Sequence, residues 1–216
     1  MLIEIWSDVI CPWCYIGKTR FDKALENVRR DTPSLPVEVA FRPYQLDPTA
    51  PTDRTEPVVE TYAKKFGGAD RAKQIMGHVS KVAASDGLEF DMDIALRANT
   101  LSAHRLLEWA LEIAGPEAQA ALYHLFMSAY FEQGKNIGDV DTLVELCASA
   151  NLDPDAAREV LSGDHYMIEV QRGIERASSL DIHAVPTFVI DGQWVIPGAQ
   201  DVEVFESVLR RYAERG

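Results

Sequence analysis

Two cysteines separated by two residues, Cys11-Pro12-Trp13-Cys14, stand directly behind one periodic run and directly ahead of another. Leu2 to Trp6 alternates and reads as a short strand. From Pro12 onward Ile16, Phe21, Ala24, Leu25 and Val28 recur at helical spacing, with Pro12 suited to the first turn. A strand running straight into a helix leaves unpaired N–H groups and the positive end of the helix dipole at the junction. A sulfur placed there is favoured as an anion, so Cys11 is expected to be the thiolate that attacks and leaves in disulfide exchange. Cys14 lies one turn further on and deeper. It is expected to remain a thiol until it resolves a mixed disulfide, while Pro12 and Trp13 tune the pair.

Two other readings of the pair stand beside this one. Zinc takes four ligands, and a C-x2-C half-site normally has a second Cys or His pair. Here only Cys147 remains, with His78, His104, His124, His165 and His183 scattered singly. An inert structural pair is the other alternative. The placement after an N-terminal strand favours redox use.

The rest of the chain supplies a frame for such a site. Pro33 to Pro36 breaks the first helix, and Val37 to Phe41 alternates as a second strand, so the start reads β-α-β with parallel strands. From about Glu56 to Leu180 no convincing strand appears. Helical stripes run over 56–66, 69–84, 100–114, 116–133, 140–150, 154–162 and 166–179, broken at glycines and at Asn151. Asn99, Asp139 and Asp153 suit N-cap positions. Strands return at Pro186 to Ile190 and Gln193 to Ile196 around an Asp191-Gly192 turn, a hairpin signal. A terminal amphipathic helix follows over 201–212, with Val204, Phe205, Val208 and Leu209 on one face. This order, β-α-β then helices then β-β-α, is that of an α/β thioredoxin-like fold with a large all-helical insertion. Residues 1–50 and 181–216 are assigned to the thioredoxin-like domain and 51–180 to the insertion subdomain.

In that frame Pro186, opening a strand of the terminal hairpin, is expected to lie opposite the cysteines with a cis peptide bond, a form that costs little before proline. Its expected uses are to cap the thiols against metal and to present the Val185 backbone to a substrate peptide by strand addition.

Five stretches together resemble the DsbA-like branch of the thioredoxin superfamily, and within it the FrnE-like subgroup. They are Ser7 to Lys18, Phe41 to Pro48, Asn99 to Arg105, Val185 to Phe188 and Gly198 to Gln200. The resemblance implies dithiol–disulfide oxidoreductase activity, often in a homodimer. The same branch holds 2-hydroxychromene-2-carboxylate isomerases and kappa-class glutathione transferases, which carry serine in place of Cys11. This chain keeps both cysteines and has Ala199-Gln200 where glutathione-binding relatives tend to carry a polar-acidic pair. No organic cofactor or metal is therefore expected beyond the redox-active disulfide, with glutathione entering only as a transient mixed disulfide on Cys11.

The site assigned from sequence consists of Cys11, Cys14 and Pro186 as catalytic residues, with Trp13, Val185, Asn99 and His104 on the substrate side. Trp13, lying between the cysteines, reads as a substrate-facing apolar surface. Asn99 and His104 are candidates for the cleft wall, although a lone histidine is more often structural. Asp8 either relays a proton for Cys14 or caps its own turn. Arg42-Pro43 is a candidate for orienting the insertion. Cys147, on the apolar stripe 143–147, reads as an inert buried thiol.

Composition excludes some partners. With 34 acidic against 21 basic residues the formal net charge is -13, which lacks the basic footprint of a nucleic-acid binder. No apolar run approaches the ~20 residues that span a bilayer. The first residues show no signal-peptide pattern, so the expected compartment is the cytoplasm, with protein or small-molecule thiols and disulfides as partners. The rival functions are a glutathione-dependent isomerase or transferase acting on an aromatic small molecule, and a chaperone-like module binding exposed apolar segments.

Overall fold

The computed structural model describes residues 1–52 and 54–214. Asp53, Arg215 and Gly216 lie outside the described residues, and with them one position of the assigned insertion and the last two of the terminal domain. In chain order the elements are β1 (Leu2–Ser7), α1 (Pro12–Asp31), β2 (Glu38–Pro43), β3 (Glu56–Pro57), α2 (Val58–Phe66), α3 (Ala69–Ser85) and β4 (Leu96–Arg97). They continue with α4 (Leu101–Phe131), α5 (Val140–Ser149), α6 (Pro154–Ser162), α7 (Met167–Ser179), β5 (Thr187–Ile190), β6 (Trp194–Pro197) and α8 (Val202–Ala213).

The sheet order is β2-β1-β5-β6. β1 and β2 are parallel from Leu2 opposite Glu38 to Ser7 opposite Pro43, joined by α1 as the β-α-β pattern requires. β5 returns antiparallel to β1, with Trp6 opposite Thr187, and β6 closes the hairpin. Register matters because alternate residues face opposite ways. Ile3, Ile5, Phe41 and Phe188 point into the main core with Phe21 of α1 and Phe205 of α8. Phe21, Phe188 and Phe205 form a triangle of ring contacts at 4.7 to 5.6 Å. Burying each ring contributes about 1.5–3 kcal/mol. On the opposite face Trp6 and Val189 pack with Ala177 and Ile182.

The inserted helices divide between the two faces. α4 lies along the β2 edge of the main-core face, where Tyr123 stacks on Phe41 with centroids 3.9 Å apart. Gln119 seals that edge. Its side-chain oxygen accepts from the Phe41 N–H at 2.8 Å, and its amide donates to the Phe41 carbonyl at 3.0 Å and the Leu107 carbonyl at 3.2 Å. An exposed edge strand would otherwise present these groups unpaired. α7 packs on the reverse face. There the buried Glu4 carboxylate accepts from Arg42 at 2.8 Å and from both terminal nitrogens of Arg176 at 2.7 Å. Pro43 fits against Gly173, where a Cβ would fall 2.5 Å from the proline ring. Arg42-Pro43 thus orients one helix of the insertion.

Several local expectations need correction. A two-residue antiparallel ladder, β3 with β4, occurs inside the stretch read as free of strands. It is too short to leave a period of two in the sequence. The two helices expected over 100–114 and 116–133 are present, and the span α4 holds both: they meet at a kink at Gly115, whose φ of 82° leaves the helical region ahead of Pro116 as expected. Asp139 and Asp153 cap their helices as expected. Asn99 does not occupy the cap of α4, which falls to Thr100; the Asn99 side-chain oxygen instead accepts from the Leu101 N–H two residues on. Val204 is exposed, so the buried face of α8 is Phe205 and Leu209.

Candidate active site

The end of β1 delivers a turn whose backbone closes on itself: Cys11 N–H donates to the Asp8 carbonyl at 3.0 Å. Cys11 then occupies the N-cap of α1 in extended conformation, with Pro12 in the first turn. Its carbonyl accepts from the N–H groups of Cys14 and Tyr15 at 3.0 and 3.3 Å. The Cys11 thiol donates to the Val185 carbonyl at 3.7 Å, and the Val185–Pro186 peptide is cis. Pro186 closes over the second turn of α1 at Gly17, where a Cβ would lie 3.0 Å from the proline ring and 3.3 Å from the Ala199 backbone. Only a residue without a side chain lets the two ends of the chain approach this far.

The two cysteines are free, and both are almost wholly buried. Burial first, and then the neighbouring Cys11, push the Cys14 thiol well above its ordinary range, while the Ser7 hydroxyl and the Asp8 backbone work in the opposite direction. Cys14 therefore stays protonated near neutral pH. Trp13, between them, is 37% exposed. Tyr62 from α2 comes close enough that the charges of Cys11 and Asp8 add to burial in pushing its phenol to about 12. Elements of the insertion thus reach the cysteine side from α2 and α4, whereas α7 packs on the reverse face of the sheet.

Asn99 and His104 both turn polar atoms to the segment that follows β2. The Asn99 amide donates to the Ala50 carbonyl at 3.0 Å and so braces the loop after β2. His104 is 2% exposed, and its Nε2 faces both the Tyr44 carbonyl at 3.1 Å and Asp8 Oδ1 at 3.3 Å. Both neighbours are acceptors, so Nε2 carries the hydrogen. The other carboxylate oxygen of Asp8 accepts from Leu46 N–H at 2.7 Å. Asp8 therefore braces the 44–46 segment rather than capping its own turn. Cys147 is fully buried, and burial raises its thiol to about 12. Among the described residues no three His, Cys, Asp or Glu side chains gather as a metal site.

Three residues of the site escaped the sequence reading of roles. Ser7 and Gly17 lie within the resembling stretch but carry no type-specific signal. Tyr123 sits on an apolar helical stripe like any core aromatic, yet its hydroxyl is hydrogen-bonded to the Ser7 hydroxyl beneath Cys14.

Comparison with known proteins agrees with this geometry. The model of the DSBA-like thioredoxin domain matches residues 2–210. The Bacillus subtilis protein YwbO is 31% identical over 212 residues, covering 96% of this chain and 94% of that one. A probable DsbA oxidoreductase from Streptomyces coelicolor is 34% identical and superposes with a TM-score of 0.89, over 100% of this chain and 92% of the other. The cytosolic disulfide reductase DsbM from Pseudomonas aeruginosa, 18% identical, shares the fold at a TM-score of 0.71 over the full length of both chains. No described helix is long and apolar enough to cross a membrane. With a matching family model along almost its whole length, and a cysteine pair at the junction of β1 and α1, the chain belongs to the DsbA-like thioredoxin family of oxidoreductases.

Proposed function

We propose that the protein is a FrnE-type dithiol–disulfide oxidoreductase in which Cys11 attacks and Cys14 resolves. The observation that carries this reading is the contrast between the two sulfurs. Cys11 caps the helix against the Val185 carbonyl, whereas Cys14 lies beneath it as a thiol held protonated by burial. In the reducing direction the Cys11 thiolate attacks one sulfur of a substrate disulfide, and the second substrate sulfur leaves with the bonding pair and takes up a proton. Cys14 then gives up its proton and attacks Cys11 Sγ. The first substrate sulfur departs as a thiolate and is protonated, leaving a Cys11–Cys14 disulfide and a substrate reduced by two electrons. Forming the mixed disulfide removes the Cys11 charge, one of the causes that hold Cys14 protonated, so the first step eases the second.

Trp13 and the Val185 backbone are the surfaces offered to the substrate, as an apolar platform and a strand-pairing edge. The substrates are protein or small-molecule disulfides, and glutathione, which one DsbM structure contains, is a thiol of suitable size. The cytosolic setting of DsbM favours the cytoplasm for this chain too. Reduction of insulin by dithiothreitol tests the reading. Wild type should accelerate precipitation of the insulin B chain, and Cys11→Ser should not. Equal rates for the two proteins, with glutathione-dependent isomerisation of an aromatic substrate retained in Cys14→Ser, would replace the exchange reading by the isomerase one.

A further inference from the structure

A buried thiol that must act as a nucleophile needs something to hold its anion. Cys14 is 1% exposed, so water does not serve it. The protein groups that favour its anion are the Asp8 backbone and the Ser7 hydroxyl. Ser7 is itself buried at the last position of β1, and its hydroxyl is hydrogen-bonded to that of Tyr123, buried on α4 and 116 residues further along the chain. Stacking on Phe41 fixes the Tyr123 ring. Burial and the nearby Cys14 and Cys11 raise its phenol well above the ordinary range, so it remains a donor throughout the working pH of the site.

We infer that Ser7 and Tyr123 form a two-hydroxyl donor chain, running from the inserted helix α4 through the end of β1 to Cys14, that stabilises the resolving thiolate. Tyr123 donates to Ser7, which turns the Ser7 hydrogen toward sulfur. Both are positioning residues, and neither enters the covalent steps. The inference rests on the exchange reading proposed above. It gives the insertion a part in the chemistry: α4 supplies a group to the second sulfur without touching the first. The other titratable groups facing this sulfur are Cys11, Asp8 with His104 behind it, and Tyr62 across Cys11.

Removing one hydrogen bond to an ionised sulfur lowers the thiolate fraction about tenfold, and the more basic sulfur regains part of the loss as nucleophilicity. The net effect is a resolving step about threefold slower while Cys14 is a thiol. The test is single-turnover reduction of a disulfide peptide by wild type, Ser7→Ala, Tyr123→Phe, Ser7→Thr and the double variant, followed across pH. Capture of the peptide on Cys11 is measured separately for each substitution in a Cys14→Ser background. Capture should be unchanged. Peptide release should slow about threefold in Ser7→Ala and Tyr123→Phe at neutral pH, the deficit closing as the wild-type sulfur ionises. The double variant should be no slower than Ser7→Ala, because Tyr123 acts through Ser7, and Ser7→Thr should restore the rate. Release unchanged, or slowed equally at every pH, overturns the inference and leaves the exchange reading intact. Failure of any peptide to be captured on Cys11 overturns the exchange reading itself, and the inference with it.

Discussion

The thiol of Cys11 and the carbonyl of Val185 lie 3.7 Å apart although 174 residues separate them in the chain. The sheet makes this possible. β1 and β5 are neighbours with Trp6 opposite Thr187, so the residues just beyond each strand end meet at the same corner. One sulfur and one strand edge are thereby presented together, which is the arrangement a substrate disulfide in an extended peptide requires.

That corner depends on Gly17. Gly17→Ala would place a methyl 3.0 Å from the Pro186 ring and 3.3 Å from the Ala199 backbone. Overpacking of this kind costs about 1–3 kcal/mol. Urea unfolding should show a loss in that range, and insulin reduction should slow more than in a surface control such as Lys81→Ala. Full activity with unchanged stability would remove Gly17 from the account.

The β2 edge should prove sensitive at Gln119. Gln119→Leu keeps the volume nearly constant but leaves the Phe41 N–H, the Phe41 carbonyl and the Leu107 carbonyl without their side-chain partner. Each buried polar group left unmade costs about 1–3 kcal/mol. The expected loss by urea unfolding is at least about 2 kcal/mol, and a neutral result would contradict the edge-sealing role.

Much of this frame is legible in the sequence, because strand and helix periods are local properties. The β-α-β start, the terminal hairpin and the helices at Asp139 and Asp153 follow from apolar spacing and cap residues. The site's supporting contacts are not local. Tyr123 looks like a core residue until α4 is folded against β1, and nothing within 99–105 reveals that Asn99 and His104 spend their polar atoms on the 44–50 segment. The exposure of Val204 likewise depends on where α8 meets the sheet, since its own spacing suits burial.

Docking of α7 rests on the shared carboxylate of Glu4. Arg176 is half exposed, so its contribution alone is reduced by solvent, and Arg176→Ala should cost about 1 kcal/mol or less. Arg42→Ala with Arg176→Ala strands a buried charge, and the pair should cost clearly more than the two singles added together. A double-mutant cycle in urea measures this, and strict additivity would contradict it.

Cys147 should be silent. Its thiol is fully buried and raised to about 12 by that burial. In Cys11→Ser/Cys14→Ser, a chromogenic thiol reagent at pH 8 should find no reactive cysteine in the native protein and one in denaturant. Fast native reaction would show Cys147 to be accessible and would require a place for it in the chemistry.

The central claim is the division of labour between the two sulfurs, and trapping measures it directly. Cys14→Ser and Cys11→Ser are each incubated with a disulfide-bonded peptide, and covalent adducts are counted by intact mass. Cys14→Ser should accumulate a mixed disulfide mapped to Cys11, since the resolving sulfur is gone, while Cys11→Ser should trap almost none. Equal trapping by both variants, or trapping confined to Cys14, would contradict the account.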